Sequence, residues 1–498
     1  MLLSKIIKGI KCQNDIIRDI EIHSLTDDSR RVQPDGMFVA VSGTTFDGHN
    51  FIDKAIEQGA SVIVAERIEE EWIKVHSIQI LVVEDSAEAL GLIASNFYGN
   101  PSEHINLVGV TGTNGKTTTA TLLYQLFMAL GYKAGLLSTI RNYVVKTPIE
   151  TINTTPNILE TNRLLKDMVE CGCQYCFMEV SSHAVVQKRI AGLVFKGGIF
   201  TNLTQDHLDY HQTMDNYRDA KKGFFDQLPH TAFALTNRDD RNGLFMLQNT
   251  KAKKFTYSTR SMADFRTKIT ENSFEGMTLK MEIKSEKNCF LEYELATPFV
   301  GSFNAQNLTA IAATAQILGE EANLSTEEIL TQLSKLHPVS GRFEVIRHKG
   351  ISAIVDYAHT PDALRNVLST IADVKSTDSK VITVVGCGGD RDKTKRPIMA
   401  QEAVNLSDKV ILTSDNPRTE NPQSILQDML SGLNTVQRQS VIVIEDRRQA
   451  INAACQFATK GDIILIAGKG HEDYQIIGKE KHHFDDKEEV IAFLQTRI

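Results

Sequence analysis

Val-Gly-Val-Thr-Gly-Thr-Asn-Gly-Lys-Thr-Thr-Thr, residues 108–119, is the stretch that decides the fold of the chain around it. The apolar run at 105–110 leads into it and predicts a buried strand, which a Gly/Asn-rich turn follows. After the turn, apolar residues recur at helical spacing, and Gly131 stands where a helix would end: Leu122, Leu123, Leu126, Phe127 and Leu130. Strand, glycine turn, Lys-Thr and helix together predict a phosphate-binding loop.

In such a loop, backbone N–H groups at the helix N-terminus cradle the phosphates of a nucleotide. We expect Lys116 to reach the β- and γ-phosphates and the Thr117 hydroxyl to bind Mg²⁺. The general pattern has a glycine five residues before Gly115, where this chain has Val110, and Gly112 supplies the early flexible position instead. An ordinary strand–turn–helix is the alternative, but Gly-Lys-Thr at this junction favours the phosphate loop.

The composition is that of a soluble globular protein with room for about three domains. Of 498 residues, 42% are hydrophobic and 23% are charged, and the net charge of -8 argues against a nucleic-acid partner. The start, Met1-Leu2-Leu3-Ser4-Lys5, is too short and too soon charged for a signal peptide. No apolar run approaches membrane-spanning length, so we expect a cytoplasmic protein with no membrane insertion.

The chain has seven cysteines, and three of them cluster at Cys171, Cys173 and Cys176. This cluster invites comparison with a zinc site, but no fourth ligand lies nearby. The run Tyr175-Cys176-Phe177-Met178 is typical of a strand that enters a core. We therefore expect a reduced cytosolic protein rather than a zinc protein.

Strand-like apolar runs alternate with helical patterns along nearly the whole chain, which predicts an α/β fold. Breaks at Asn100-Pro101-Ser102 and His337-Pro338 predict three domains, at 1–100, 101–336 and 337–498. In the first domain strands are expected at 37–41 and 61–65. The second has expected strands at 105–110, 134–140, 175–181, 197–203 and 232–236, and its stretch 255–295 alternates like antiparallel strands. The third has a doubly wound pattern, with strands expected at 351–356, 380–385, 408–413, 440–444 and 462–467.

Polar clusters follow the expected strands of the second domain. Glu179-Val180-Ser181-Ser182-His183 carries a carboxylate that would complete a Mg²⁺ shell beside the phosphate loop, although a solvated loop acid is the alternative. The segment 201–211 contains His207 and His211 at the spacing of a zinc pair, but without the glutamate of a zinc protease between them. Asp219-Ala220-Lys221-Lys222 by itself looks like a charged helix face.

Three further clusters follow strands of the third domain, where the tips of one parallel sheet converge. They are Gly386-Cys387-Gly388-Gly389-Asp390-Arg391-Asp392, Ser414-Asp415-Asn416-Pro417-Arg418 and Ala467-Gly468-Lys469-Gly470-His471-Glu472-Asp473. Any one of them is consistent with a plain surface turn. Together, their charges suit a zwitterionic ligand that has more than one carboxylate and ammonium group.

These motifs together resemble the Mur ligase family along essentially the whole chain. The resemblance is carried by Thr-Gly-Thr-Asn-Gly-Lys-Thr, Glu-Val-Ser-Ser-His, Thr-Asn-Leu-Thr-Gln-Asp-His-Leu-Asp, Ser-Gly-Arg-Phe-Glu at 340–344 and Asp-Tyr-Ala-His-Thr-Pro-Asp at 356–362. It implies three domains: a small N-terminal α/β UDP-binding domain, a central P-loop ATPase domain with a mainly parallel sheet, and a C-terminal Rossmann-like doubly wound domain.

The resemblance also implies an activity, which is ATP-driven amide formation through an acyl phosphate. Asp-Asn-Pro-Arg at 415–418 matches the version that adds meso-diaminopimelate to the D-glutamate γ-carboxylate of UDP-N-acetylmuramoyl-L-alanyl-D-glutamate. This is a step in the synthesis of a peptidoglycan precursor, and we expect the enzyme to act as a monomer. Activation by phosphate is chemically needed, because a carboxylate is a poor electrophile at neutral pH.

Matching positions imply the catalytic and nucleotide roles. The resemblance assigns the ATP phosphates to Gly112, Thr113, Asn114, Gly115, Lys116, Thr117 and Thr118, adenine to Asn304 and Asn307, and the γ-phosphate to Arg342. It assigns Mg²⁺ to Thr117, Glu179 and His207, although a histidine is an unusual ligand for so hard an ion. Lys221 matches the lysine that the family carbamylates with CO₂, and the carbamate helps to hold a second Mg²⁺.

Matching positions also imply the substrate contacts. The UDP-sugar dipeptide is assigned to Ser29, Thr44, Thr45, Phe46, Asn153, Thr154, Thr155, Ser181, Gln187 and Arg189. The incoming amino acid is assigned to Arg391, Asp415, Asn416, Pro417, Arg418, Gly468 and Glu472.

Two kinds of alternative stay open at this point. One is a ligase of the same superfamily with another acceptor, such as an L-lysine-adding or a folylpolyglutamate-type enzyme. The Asp-Asn-Pro-Arg cluster and the Ser29 region speak against it, since a folate enzyme would lack the first domain. The other is a non-catalytic nucleotide-binding or scaffold protein, which the intact set of Lys116, Thr117, Glu179, His207 and Lys221 disfavours.

Overall fold

The computed structural model describes residues 1–43, 46–67, 78–284 and 289–496. It has a three-domain α/β fold with mostly parallel sheets, as the sequence predicts. Within the described residues, no helix has both the length and the apolar character needed to cross a membrane.

The first domain is built on a four-stranded parallel sheet in sequence order. Its strands are Leu25–Thr26, Gly36–Val39, Ala60–Ala65 and Gln79–Val82. Its helices are Leu3–Ile6, Ile52–Glu57 and Ser86–Phe97, with 3₁₀ turns at Ser29–Arg31 and Gly48–Phe51. Asp85 caps the helix Ser86–Phe97 by accepting a hydrogen bond from the backbone N–H of Glu88, so that helix begins where its capping residue stands.

The second domain has an eleven-stranded sheet in the described residues. In spatial order its strands are Phe290–Thr297, Gly276–Lys284, Phe265–Ser273, Lys253–Ser258, Phe233–Asn237, Gly197–Phe200, Asn106–Thr111, Tyr175–Glu179, Ala134–Leu137, Asn142–Val144 and Thr147–Ile149. The middle of the sheet is parallel and both edges are antiparallel. Its helices are Lys116–Ala129, Ile158–Glu170, Ser182–Val186, Leu208–His211, Met214–Asp226, Gly243–Met246, Ser302–Ala322 and Thr326–Leu333.

Alternation along the strand Asn106–Thr111 places this sheet between two cores. Val108 and Val110 pack on one face with Phe127, whereas Leu107 packs on the other face with Phe224. Successive side chains of a strand point to opposite faces, so an unbroken apolar run fits only a strand covered on both sides. The continuous run at 105–110 therefore specifies a central strand, and its carboxyl end delivers the phosphate loop to the edge of the sheet.

The third domain has a six-stranded sheet, in spatial order Glu344–His348, Ile351–Asp356, Ile463–Ala467, Val381–Cys387, Lys409–Ser414 and Val441–Val443. The first strand is antiparallel to its neighbour and the others are parallel. The helices are Pro361–Val374, Lys395–Leu406, Pro422–Ser431, Thr435–Ser440, Arg447–Phe457 and Asp486–Thr496, and a hairpin joins Tyr474–Ile477 to Glu480–His483. All three predicted polar clusters begin at carboxyl ends of parallel strands in this sheet.

Candidate active site

The phosphate loop lies between the strand Asn106–Thr111 and the helix Lys116–Ala129. Two of its glycines are required by close contacts as well as by positive φ angles. A Cβ atom at Gly112 would lie 1.8 Å from the Thr201 hydroxyl, and one at Gly115 would lie 2.7 Å from Asn307 Oδ1. Their φ angles are +151° and +87°, which a residue with a side chain rarely adopts. The loop can therefore approach its neighbours, and a ligand, only because these positions are glycine.

The segment after the strand Gly197–Phe200 holds the loop in shape. Asn202 accepts hydrogen bonds from the backbone N–H of Thr113 at its carbonyl (2.8 Å) and from that of Asn114 at its side chain (2.9 Å). The Thr201 hydroxyl donates to the Asn114 carbonyl at 2.6 Å. The Thr-Asn pair that follows this strand thus fixes the loop before any ligand is bound.

Two lysine ammonium groups converge beneath the loop. Lys116 Nζ donates to the carbonyls of Gly112 and Thr113, at 2.9 Å each, and Lys221 Nζ donates to the Gly112 carbonyl at 2.8 Å. Removal from water lowers the pKa of Lys116, and burial together with the Lys116 charge holds the pKa of Lys221 well below its usual range. The Lys116 ammonium favours an anionic ligand beside it.

Oxygen ligands suited to a hard cation lie on the far side of Lys116. The Thr117 hydroxyl donates to Glu179 Oε2 at 3.0 Å, and Glu179 Oε1 accepts a hydrogen bond from the backbone N–H of Thr139 at 2.7 Å. Glu179 is fully buried, so its two oxygens are held in one orientation. Carboxylate and hydroxyl oxygens are the ligands that Mg²⁺ prefers.

Arg342 reaches this group from the third domain. Its Nη2 donates to the Thr117 hydroxyl at 3.3 Å, and its guanidinium lies 4.4 Å from the centre of the Tyr357 ring. Its Nη1 is buried without a hydrogen-bond partner among the described residues. A buried, unpaired donor of this kind is costly unless a ligand accepts from it, which fits a phosphate oxygen at this place.

His207 and Asp206 complete the edge of the site. His207 has a left-handed backbone (φ +54°), and its Nε2 lies 3.4 Å from Asp206 Oδ2. Burial lowers the pKa of His207 and keeps the imidazole neutral, so that a ring nitrogen is available as an acceptor or ligand. Burial alone would raise the pKa of Asp206, but His207, His359 and Lys395 outweigh it and lower that pKa, so Asp206 is a carboxylate.

These groups line a cavity of about 460 Å³ between the second and third domains. Its size suits a nucleotide. A hydrogen bond of 3.1 Å from Asn114 Nδ2 to Asp362 Oδ2 joins the two domains across the cavity. Eleven of the predicted site residues line it, namely Thr113, Asn114, Gly115, Lys116, Thr117, Thr118, Thr154, Glu179, His207, Asn307 and Arg342.

A second polar site lies at the carboxyl ends of Lys409–Ser414 and Ile463–Ala467. Asn416 Nδ2 donates to Glu472 Oε2 at 2.8 Å, and the Tyr357 hydroxyl donates to Glu472 Oε1 at 3.4 Å. Lys469 Nζ donates to Asn416 Oδ1 (3.1 Å) and to Glu472 Oε2 (3.2 Å), and it lies 3.9 Å from Asp415 Oδ1. The predicted convergence of the 415–418 and 467–473 clusters is present.

Arg418 stands beside this centre with a left-handed backbone (φ +52°). Its backbone is held by the Ile476 carbonyl (3.1 Å) and by the Gly478 N–H (2.8 Å), and its Nη1 donates to the Gly389 carbonyl at 2.7 Å. The cluster at 386–392, which contains Gly389, therefore also contacts this site. The hairpin that follows Glu472 thus fixes where the Arg418 side chain starts.

Comparison with known proteins relates this whole arrangement to one family. Residues 21–98 match the model "Mur ligase family, catalytic domain", residues 110–315 match "Mur ligase middle domain", and residues 341–470 match "Mur ligase, glutamate ligase domain". A UDP-N-acetylmuramoyl-L-alanyl-D-glutamate--2,6-diaminopimelate ligase of Phocaeicola vulgatus is 55% identical over 98% of both chains. The chain belongs to the Mur ligase family.

Further relatives agree with this assignment. The protein with the same name in Bacteroides thetaiotaomicron is 54% identical to this Mur ligase, again over 98% of each chain. A solved structure titled as that ligase superimposes with a TM-score of 0.69, at 31% identity and 99% coverage of both chains. The three-domain fold predicted from the sequence is thereby confirmed.

The positions predicted for the UDP-sugar dipeptide are divided between two domains of this Mur ligase. The Thr155 hydroxyl donates to the Glu179 carbonyl at 2.8 Å and accepts from the backbone N–H of Ser181 at 3.1 Å, and Arg189 donates to the Thr155 carbonyl at 3.3 Å. These contacts place Thr155 against the backbone of Glu179, with Ser181 and Arg189 bound to Thr155. The remaining predicted positions in this domain are Asn153, Thr154 and Gln187, of which Thr154 accepts from the Thr139 hydroxyl and Gln187 donates to the Tyr210 hydroxyl.

In the first domain, Ser29 is buried in a 3₁₀ turn that Asp28 caps, and Phe46 is 72% exposed. An aromatic side chain this exposed on a polar loop is available to a ligand. Thr44 and Thr45, which were predicted with them, lie outside the described residues.

Two predicted residues have other contacts than the sequence indicates. The Asn304 side chain donates to the Val300 carbonyl, just before the start of its own helix, whereas Asn307 lines the cavity. Arg391 is exposed and donates to the neighbouring Asp390 carbonyl. Asn307 thus lines the cavity and Glu472 joins the cluster around Asn416, whereas the hydrogen bonds of the Asn304 and Arg391 side chains go to carbonyls nearby in the sequence.

Several polar residues of these sites were not selected from the sequence. Lys469 and Tyr357 belong to motifs that the sequence analysis recognised, but neither residue was assigned a role from the sequence. Arg447 carried no signal beyond the start of a helix. It is fully buried, makes two 2.7 Å hydrogen bonds to Asp486, and donates to the Ala467 carbonyl at 3.1 Å. Arg447 therefore ties down the end of the strand that carries Lys469 and Glu472.

Proposed function

We propose that this protein is an ATP-dependent ligase that adds meso-diaminopimelate to the D-glutamate γ-carboxylate of UDP-N-acetylmuramoyl-L-alanyl-D-glutamate. The reaction is a step in the synthesis of a peptidoglycan precursor, and we place it in the cytoplasm and assign it to a monomer. The observation that carries the proposal is the 55% identity, over 98% of the chain, to a ligase named for these substrates. The two polar sites at the strand ends are consistent with it.

The domain boundaries that we propose are those expected from the sequence, at 100/101 and 336/337. The first falls between the helix Ser86–Phe97 and the strand Asn106–Thr111. The second falls between the helix Thr326–Leu333 and the strand Glu344–His348. Both lie where the chain passes from one sheet to the next, which supports them.

The chemistry begins with a carboxylate that must become an electrophile. An oxygen of the γ-carboxylate attacks the γ-phosphorus of ATP, ADP leaves, and an acyl phosphate results. The amine of the amino acid then attacks the acyl carbon, phosphate leaves, and the amide bond forms with loss of a proton. The protein contributes by positioning these groups and by stabilising charge on the transferred phosphoryl group.

The named side chains divide this work. We assign the phosphate oxygens to Lys116 and to the unpaired Nη1 of Arg342, whose positive charges oppose the charge that develops during transfer. Thr117 and Glu179 present oxygens at hydrogen-bond distance from each other, and with His207 we assign them to Mg²⁺. When bound, Mg²⁺ supplies Lewis-acid stabilisation of phosphate charge.

No three His, Cys, Asp or Glu side chains of the described residues are arranged to hold a metal by themselves. This finding is compatible with Mg²⁺, which is usually held by one or two carboxylates, with waters and substrate phosphates as its other ligands. The cluster of Cys171, Cys173 and Cys176 gives no support to a zinc site, since Cys176 is buried in the strand Tyr175–Glu179.

Lys221 is assigned to carbamylation because of its environment. It is 1% exposed, and burial together with the Lys116 charge lowers its pKa, which favours the neutral amine that reacts with CO₂. The neutral amine attacks CO₂ and loses one proton, so carbamate formation places an anion beside Lys116. This anion would attract the Lys116 ammonium, and its oxygens would be ligands for a second Mg²⁺.

The test is product formation by the purified protein with ATP, Mg²⁺ and UDP-N-acetylmuramoyl-L-alanyl-D-glutamate, against a panel of amino acids. We expect phosphate release and a tripeptide mass with meso-diaminopimelate, and far less of both with L-lysine. Equal or better turnover with L-lysine would assign the protein to the lysine-adding version. Phosphate release with no amino acid of the panel would refute the proposal.

A further inference from the structure

Lys469 is a buried lysine to which the proposed function gives no role. Its side chain is 0% exposed, and its ammonium group lies among three polar residues of the amino-acid site. It donates to Asn416 Oδ1 and Glu472 Oε2 and lies 3.9 Å from Asp415 Oδ1, while the Tyr474 ring centre is 5.4 Å away. A buried ammonium this well paired has a specific local task.

One part of the task is to balance two buried carboxylates. The side chains of Asp415 and Glu472 are only 10% and 14% exposed. Burial raises the pKa of Glu472, the neighbouring Asp415 raises it further, and Lys469 opposes both. Without a cation at this place Glu472 would tend to take up a proton and lose its charge.

The other part is to orient the Asn416 amide. Its Oδ1 accepts from Lys469 Nζ and from the backbone N–H of Ile476 (2.9 Å), so its Nδ2 is directed to Glu472 Oε2. The assignment of oxygen and nitrogen is thereby fixed by two donors on one side and one acceptor on the other. Glu472 Oε2 in turn receives two donors, which holds the carboxylate in a single orientation.

We propose that Lys469 is a positioning residue that sets the choice of amino acid, by pairing with the Glu472 carboxylate and by fixing the orientation of the Asn416 amide beside it. The inference rests on the proposed function, because it needs the site at 415–418 and 468–472 to hold the incoming amino acid. Lys469 itself is directed at protein groups and acts through Asn416 and Glu472.

The charge balance gives the inference its substrate chemistry. Lys469 and Arg418 bring two positive charges to the centre, and Asp415 and Glu472 bring two negative charges. Meso-diaminopimelate has two ammonium and two carboxylate groups and no net charge, whereas L-lysine has a net charge of about +1 at pH 7. A neutral site matches the first, and a site without the Lys469 charge would be negative and would favour the second.

The experiment compares Lys469→Gln, Lys469→Arg and, as a matched control, Lys481→Gln. Lys481 contacts the same Tyr474 ring, at 4.1 Å, but it is exposed on the hairpin. Steady-state kcat and KM are measured for meso-diaminopimelate and L-lysine in the full-length protein. We expect Lys469→Gln to raise KM for meso-diaminopimelate by about tenfold or more. We expect kcat to change by less than about threefold, and the preference over L-lysine to fall in parallel with the rise in KM.

A pH profile separates charge from packing. The groups that face Glu472 are Asp415, Lys469, Tyr357, Tyr474 and Arg447. Removal of the Lys469 charge allows Glu472 to bind a proton at higher pH, so the acidic limb of kcat/KM should move to higher pH in Lys469→Gln. Lys469→Arg keeps the charge, and it should leave that limb in place and recover the selectivity ratio to within about tenfold of the wild type.

The outcomes are separable from those of the proposed function. A wild type that makes no tripeptide from meso-diaminopimelate overturns the proposed function and this inference with it. An active wild type with a Lys469→Gln variant whose selectivity and pH limb match those of Lys481→Gln overturns the inference alone. If Lys469→Gln fails to fold, Lys469→Arg decides, since a loss of selectivity with the charge retained would contradict the inference.

Discussion

Arg418→Ala should remove most of the preference for meso-diaminopimelate over L-lysine. The two amino acids differ by one carboxylate at the distal end, and we propose that Arg418 binds this carboxylate while Glu472 accepts the distal ammonium. The guanidinium of Arg418 donates one N–H to the Gly389 carbonyl, and its other N–H groups are available to a carboxylate. With L-lysine bound, these N–H groups would face no partner.

The magnitude follows from the bonds that would be lost. A hydrogen bond to a charged group contributes about 1.5–3 kcal/mol, and a bidentate contact makes two that share one carboxylate. A net loss of about 2–4 kcal/mol corresponds to a roughly 30- to 700-fold fall in kcat/KM for meso-diaminopimelate. The value for L-lysine should stay nearly constant, since that substrate makes no such contact.

The assay is coupled phosphate release with each amino acid, in the wild type, in Arg418→Ala and in Arg418→Lys. Alanine keeps a Cβ atom at this left-handed position, so the backbone cost of φ +52° is similar in both proteins. Lysine at position 418 keeps the positive charge but lacks the planar guanidinium. The selectivity of Arg418→Lys should therefore lie between those of the wild type and Arg418→Ala. Arg365→Ala is the control, because Arg365 pairs with Glu402 on the surface of the same domain.

A comparable kcat/KM for both amino acids in the wild type would refute this reasoning, as would an unchanged ratio in Arg418→Ala. The plain alternative, a pair between Arg418 and Glu420, is not what the structure contains. Glu420 is bound instead by Arg396 at 2.8 Å and by Lys393 at 3.1 Å. Arg418 forms no ion pair with the carboxylates in the part of the chain that the structure describes.

Three other changes should have distinct effects. Lys116→Ala should lower turnover by a hundredfold or more, on the order of the loss of a phosphate-stabilising charge, with an unchanged melting temperature, and near wild-type phosphate release would contradict the phosphate-loop assignment. Lys221→Ala should be inactive and partly restored by short-chain carboxylic acids that replace the carbamate, and full activity without additives would end that idea. Arg447→Met should lower the stability of the third domain by about 3–5 kcal/mol, because it leaves the Asp486 carboxylate buried and unpaired. Calorimetry of Arg447→Met with Asp486→Leu should show most of that stability recovered, and an additive loss would argue against the pair.

Long elements with a strong hydrophobic pattern were predictable from the sequence, because burial of these apolar residues is what produces the element. The run at 105–110 and the glycine turn after it specify a central strand and a phosphate loop with little help from the rest of the chain. The strands at 351–356 and 462–467 were equally predictable, since each is apolar on both faces and is followed by a polar turn. Such elements would be buried in any α/β arrangement.

Short strands were not predictable, because pairing rather than pattern produces them. Asn142–Val144 and Thr147–Ile149 form an edge hairpin of three residues a side, and the sequence analysis predicted neither. The stretch 255–295 was expected to be antiparallel throughout, and its three later strands are antiparallel to one another. However, Lys253–Ser258 is parallel both to Phe233–Asn237 and to Phe265–Ser273, since it continues the central sheet. The sequence of a single strand does not show whether its partner strand is parallel or antiparallel.

The candidate site shows the same division between groups and their partners. The sequence contains Lys221 and Arg342, but their hydrogen-bond partners lie far away along the chain. Lys221 binds a carbonyl 109 residues distant, and Arg342 binds a hydroxyl 225 residues distant. The protonation state and the orientation of these side chains depend on those partners. The motifs therefore identify which side chains belong to the site, and the fold determines their chemical state.

The hydrogen bonds of Lys116 show how little must move when a nucleotide binds. Its ammonium donates to two carbonyls of its own loop, at Gly112 and Thr113, while Asn202 and Thr201 hold that loop from behind. A phosphate oxygen near the loop competes for the same donors, and because it carries a negative charge it attracts the ammonium more strongly than a neutral carbonyl does. The lysine side chain can therefore transfer its donors without any change in the loop backbone. Because the loop is already formed, binding costs little ordering of the chain, and the free energy of the new contacts goes to placing the phosphate for transfer.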